Sequence, residues 1–297
     1  MRERCAVAGR HRGDQLAGTA STVRAFLLVE NPGPWGVDAV ADARMPDVVR
    51  GRLRRAAGHG VRVLLARRHG TPARGGATRV LAAYADPHRP WLETATLEDQ
   101  AQLVDLDLAA LGAGRSLGLT VDTGPVFGVC THGRHDACCA ELGRPTAAAL
   151  AAAHPDRTWE VSHVGGDRFA ANVLVLPAGL YYGRVPPGRA AALADGHLDG
   201  HLDLDLLRGR SGFAFPVQAA EVALRRELGD TRVTGCRLVA VTTSGSDSTV
   251  VLDLAGTSYT VRLRRTESER PARLTCRAGR ESPVPSFEVA ALDVSAR

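Results

Sequence analysis

Pro125-Val-Phe-Gly-Val-Cys130-Thr-His-Gly-Arg-His-Asp-Ala-Cys-Cys139 reads as a short apolar strand that ends on a cysteine, a polar turn, and the start of a helix. The Ala/Leu-rich run from Ala137 predicts a helix to about His154, which Pro145 should break or restart. Thr158 to Val161 reads as a second strand, leading into Ser162-His163 and the Gly165-Gly166 loop. Val173 to Leu176 and Leu180 to Arg184 read as a hairpin around Pro177-Ala178-Gly179, and residues 188–198 as a closing helix.

The order is β-α-β followed by β-β-α, that of a thioredoxin-like core, and it places this unit at residues 119–200. On its N-terminal side, residues 1–118 alternate strands and helices. Strands are expected at 23–30, stopped by Asn31-Pro-Gly-Pro-Trp-Gly36, at Val61 to Ala66 and at Arg79 to Ala85. Residues 38–57 carry a loose helical period, and 97–112 a second one with Leu103, Leu106, Leu108 and Leu111. Such alternation argues for a sheet with helices packed on it. Residues 201–297 read as an amphipathic helix over 216–228, a small antiparallel sheet over the Val/Thr-rich 237–264, and a polar loop over 266–286. The fold class is therefore α/β, with three segments and no internal repeat of fixed period.

The 297 residues are 44% hydrophobic and 23% charged, enough for a large core without disulfide staples. Lys and Ile are absent and Asn occurs only at Asn31 and Asn172, a pattern of nucleotide composition rather than of function. The net charge of +5 is mild, and Arg residues are interspersed with Asp and Glu, so nothing indicates a nucleic-acid partner. The start lacks the apolar core of a secretory signal, and no stretch has the length of a membrane span. A cytoplasmic location with no membrane partner is expected, where six cysteines point to metal or redox work rather than to disulfides.

Cys130, Cys138 and Cys139 cluster within ten residues. Thiolates beside a strand end and a helix N-terminus are stabilised by the helix dipole and free N–H groups. Soft thiolates with imidazole suit zinc, iron–sulfur or copper(I). No Cys-x-x-His box accompanies Cys130-Thr-His132, which excludes a Rieske site, and no Cys-x-x-Cys supports thioredoxin-type exchange. His132 and His135 read as loop residues satisfied by backbone or water. Cys5, Cys236 and Cys276 lie in unrelated contexts and read as structural thiols.

Val129-Cys-Thr-His-Gly-Arg-His-Asp-Ala-Cys-Cys-Ala140, Gly143-Arg-Pro145, Trp159-Glu-Val-Ser-His-Val-Gly-Gly-Asp-Arg-Phe-Ala-Ala-Asn172, Tyr182-Gly-Arg184 and Leu207-Arg-Gly-Arg-Ser211 resemble the sucrase/ferredoxin-like family, as do Gly18-Thr-Ala20 and Glu30-Asn-Pro-Gly-Pro-Trp-Gly36. The resemblance implies a thioredoxin-like ferredoxin domain with a [2Fe-2S] cluster on two cysteines and two histidines. Carried over, the ligands are Cys130, Cys139 (with Cys138 its neighbouring alternative), His163 and the residue four positions on. That residue is Asp167, where the family carries His; His135 stands where the family more often has Arg. Either Asp167 ligates through oxygen, or Cys138 or His135 fills the place, or the cluster is lost.

The function implied is a [2Fe-2S] electron carrier or redox sensor working with a redox partner, and not a sucrase, since no paired carboxylates of a glycosidase are present. A cluster-free or zinc-bound binding module is the alternative, as is a thiol enzyme using Cys138 or Cys139 as nucleophile.

Overall fold

β-Strands buried on both faces set the frame: Ala25 to Val29 and Val126 to Cys130 are inaccessible along their whole length, as in the centre of a covered sheet. The computed structural model describes residues 3–70 and 76–294. In chain order the elements are α1 (Cys5–His11), β1 (Ala25–Glu30), α2 (Asp47–Arg55), β2 (Val61–Arg67), β3 (Thr78–Tyr84), β4 (Trp91–Leu97), α3 (Leu108–Gly112), β5 (Thr120–Val121) and β6 (Val126–Cys130). They continue with α4 (Ala137–Ala153), β7 (Thr158–Val161), β8 (Val173–Leu176), β9 (Leu180–Tyr182), α5 (Pro187–Leu198), β10 (Leu207–Arg210), α6 (Phe215–Leu228), β11 (Cys236–Ser244), β12 (Asp247–Leu254), β13 (Thr257–Glu267) and β14 (Pro285–Val294).

Ten strands form one mixed sheet in the order β10-β9-β8-β6-β7-β2-β1-β3-β4-β5. Within β9-β8-β6-β7, β6 and β7 are parallel and β8 runs antiparallel to both β6 and β9, a thioredoxin-like arrangement. The strands β2-β1-β3-β4 repeat it: β1/β2 are parallel, β1/β3 and β3/β4 antiparallel. The two units meet second strand to second strand, antiparallel, at Ala66↔Val161 and Arg67↔Glu160. A pseudo-twofold axis through that junction thus relates two units of one topology, although no period is visible in the sequence. The connections differ in length, and unlike side chains specify the two copies. The boundaries at 118/119 and 200/201 fall within this continuous sheet.

Strand alternation divides the core. Leu27 and Val29 pack with Val49, Leu53, Leu108 and Leu111 of α2 and α3, while Phe127 and Val129 pack with Ala147 and Leu150 of α4 and Leu193 of α5. Phe26, Leu28, Leu64, Trp159, Val161 and Leu174 form one cluster on the opposite face, across both units. β11 to β14 make a separate antiparallel sheet against α6, through Val217, Ala220 and Leu224.

Four local expectations change. The helix expected over 38–57 starts only at Asp47, because Asp38 accepts hydrogen bonds from the N–H groups of Val40 and Ala41 and holds that segment in turns. The helix expected over 97–112 is instead the end of β4, a 3-10 turn over Gln100–Asp105, and α3, since Asp99 and Asp107 each cap a new start. Pro145 sits inside a continuous α4. The small sheet gains a fourth strand, β14, beyond the loop.

Candidate metal centre

β6 delivers Cys130 to the end of a buried strand, and α4 begins seven residues later, where Asp136 caps it by accepting the N–H of Cys138 at 2.9 Å. Cys139, in the first turn of α4, faces back toward the strand end. This approach needs Gly143 one turn on: a Cβ there would fall 2.1 Å from the Cys130 carbonyl oxygen. β7 brings in His163, after which Gly165 and Gly166 adopt φ of 96° and 80°, the left-handed region that favours glycine, and turn Asp167 inward.

The loop is held from beneath by Arg208 on β10, which is fully buried. It donates from Nη1 to the Gly165 carbonyl at 3.0 Å and to Asn172 Oδ1 at 2.8 Å, and from Nε to Thr19 Oγ1 at 3.1 Å; Nη2 donates to the Thr19 carbonyl. Burial lowers its pKa to about 10, so it stays protonated at neutral pH.

Ligand-capable atoms of Cys130, Cys139 and His163 lie within 4.8 Å of one another, and those of His135, His163 and Asp167 do likewise. His163 is common to both groups. Cys139 Sγ is 3.3 Å from Asp167 Oδ1, and His163 Nδ1 is 3.0 Å from the same oxygen. That Nδ1 is buried, and its contact with Asp167 is an ion pair when the imidazole is protonated. The His135 ring stacks on His163 at 3.7 Å, with its Nε2 3.9 Å from Asp167 Oδ2. The sulfurs and Asp167 are buried, whereas His163 and His135 reach the surface, their side chains 29% and 36% exposed.

Electrostatics distinguish the two thiols. The neighbouring Cys139 thiol and, with it, His163 hold the Cys130 thiol well below its usual range against the opposing effect of burial. The same contact with Cys130, together with burial, pushes Cys139 up. Burial would lower His163, but Asp167 and Cys130 more than offset it and raise it to about 9. Asp167 is pushed up by burial and pulled down further by His163.

His132 stays outside both groups. Its Nε2 contacts the Gly36 carbonyl oxygen at 2.7 Å, and its ring meets the Trp35 edge at 5.9 Å, so the 31–36 loop of the first unit roofs the site on the second. Cys138 faces away from Cys130 and lies with Cys5, Cys276 and Asp136. Cys5 and Cys276, read from sequence as unrelated thiols, are thus neighbours; Cys236 packs under α6. In the sequence, Arg208 and Trp35 stand only within longer motifs and carry no role of their own. An arginine inside a strand of otherwise buried residues was the available signal for Arg208.

A family described as Sucrase/ferredoxin-like has a model that matches residues 16–209, about two-thirds of the chain. The chain belongs to the sucrase/ferredoxin-like family. No protein with a curated description matches it, and no solved structure does. Among the described residues no helix is long and apolar enough to cross a membrane.

Proposed function

We propose that this protein is a one-electron redox carrier holding a [2Fe-2S] cluster on Cys130, Cys139, His163 and Asp167. Two buried thiols with an imidazole nitrogen and a carboxylate oxygen beside them form a donor set suited to iron, and too rich in sulfur for magnesium or calcium. The observation that carries the reading is the convergence of the Cys130, Cys139 and His163 ligand atoms within 4.8 Å of one another, with Asp167 Oδ1 3.0 Å from His163 Nδ1 and 3.3 Å from Cys139 Sγ.

When bound, a [2Fe-2S] cluster supplies reversible one-electron oxidation and reduction. Cys130 and Cys139 would hold it on the buried side, beneath the β6 end and the α4 start. His163 and the stacked His135 would form the exposed edge, where a redox partner can approach and protons can exchange with solvent. Asp167 adds a negative charge where a second imidazole would be neutral, which favours the oxidised form. His135 is the second candidate for the fourth position, since its ring already lies against His163.

Anaerobic purification, followed by absorption, iron and acid-labile sulfide analysis, tests the proposal. Red-brown protein with equal iron and sulfide, lost in Cys130→Ser, is the expected result. Colourless protein that stays iron-free after anaerobic reconstitution refutes it.

A further inference from the structure

The second sulfur group owes nothing to the centre just described. Cys5 Sγ is 3.6 Å from Cys138 Sγ, Cys138 Sγ is 3.4 Å from Cys276 Sγ, and Cys276 Sγ is 3.5 Å from Cys5 Sγ. The three come from α1, from the first turn of α4 and from the loop between β13 and β14, and Cys5 and Cys276 lie outside the family match at 16–209. The separations are too long for a disulfide, about 2.05 Å. They approach the edge of about 3.8 Å that three sulfurs share on one tetrahedral ion with Zn–S near 2.3 Å.

Asp136 completes the group, its carboxylate oxygens 3.8 and 3.7 Å from Cys5 Sγ. It is 1% exposed, and among the described residues it forms no ion pair; its hydrogen-bond donors are the backbone N–H groups of Cys138 at 2.9 Å and Cys276 at 2.6 Å, with the Cys5 thiol against it. A buried carboxylate beside three thiols, with no cationic side chain upon it, is the surrounding that a divalent cation balances. The Cys5 N–H points at Cys276 Sγ over 3.5 Å, a donor that favours a charged sulfur. Cys276 is only partly buried and opens on a cleft of about 610 Å³, which gives an ion a path in.

We propose that Cys5, Cys138 and Cys276, with Asp136, form a structural zinc site that ties α1 and the loop before β14 to the start of α4. Three sulfurs and an oxygen close the tetrahedron, as in structural rather than catalytic sites. Binding releases the thiol protons to solvent and changes no oxidation state. The adjacent pair Cys138-Cys139 then serves two centres, one thiol to each. The ends of the loop are closed by the Ala272–Ser282 bridge and bury Ala272 and Val284, while around Cys276 it is held by the Cys276 N–H bond to Asp136 and an Arg277 Nη1 bond to the Arg134 carbonyl.

The test uses the full chain, purified anaerobically from zinc-supplemented cells, with zinc and iron measured together. Wild type should carry one zinc through gel filtration. Cys276→Ser, at the most exposed of the three positions, should lower zinc at least about ten-fold while leaving iron and the visible spectrum unchanged. Cys130→Ser should remove iron and leave zinc, which separates this site from the proposed cluster even if no cluster forms. Cobalt(II) added to zinc-stripped protein should give the intense thiolate charge-transfer bands of a tetrahedral site, weakened in Cys276→Ser. Zinc-free wild type, zinc retained in Cys276→Ser, or a disulfide among the three thiols in the anaerobic protein overturns the proposal.

Discussion

Replacing Arg208 by Lys keeps the buried charge and removes the planar fork, so it isolates what the geometry contributes. The guanidinium makes four bonds, two from Nη1 to Gly165 and Asn172 and two from Nε and Nη2 to Thr19. One ammonium, placed near the Cζ position, can keep both groups of Thr19 but cannot also span to Gly165 and Asn172. Two charge-assisted bonds at about 1.5–3 kcal/mol each are then lost. Gly165 is only partly buried and its carbonyl regains some water, which leaves a net cost of about 3 kcal/mol. Urea unfolding reads this directly as a lower midpoint at unchanged slope. Because the lost bonds tether the segment that carries His163 and Asp167, amide exchange at 163–167 should quicken by about a hundred-fold. A loss below about 1 kcal/mol with unchanged exchange in that loop refutes the view that Arg208 holds the site together.

Cys139→Ser should abolish iron binding and Cys138→Ser should not, because Cys138 Sγ faces Cys5 and Cys276; equal iron loss in metal analysis of the two variants contradicts the orientation. Asp167→His exchanges a carboxylate for a neutral, titratable imidazole, so the midpoint potential should rise and its pH dependence steepen between about pH 6 and 9, read by anaerobic redox titration. If Asp167→Ala leaves spectrum and potential untouched, His135 is the better ligand. Burial, helped by Arg210, lowers His197 to about 4 from 6.5. Its contribution to stability is therefore complete above pH 6.5 and is lost as the pH falls toward 4, so His197→Leu should flatten the decline in urea midpoint over that window.

Much of the candidate site is legible because its parts are local. A strand ending on Cys130, a helix starting near Ala137 that carries Cys139 in its first turn, and His163 and Asp167 on either side of two glycines are all signals that short spacing carries. Most strands of the large sheet are legible too, since continuous runs such as Ala25 to Val29 have one use in a covered sheet. Leucine spacing misleads over 97–112, where Asp99 and Asp107 interrupt a pattern that periodicity alone would join. Which of two adjacent cysteines faces Cys130 is beyond any local rule, because neighbours on a helix point about 100° apart and only packing selects the direction. The convergence of Cys5, Cys138 and Cys276 across separations of 133 and 138 residues, and the junction of the two four-stranded units at Arg67↔Glu160, exist only once the whole chain has folded. Composition and spacing decide which residues can do the chemistry; tertiary packing decides which of them meet, because a contact between distant segments leaves no period in the sequence.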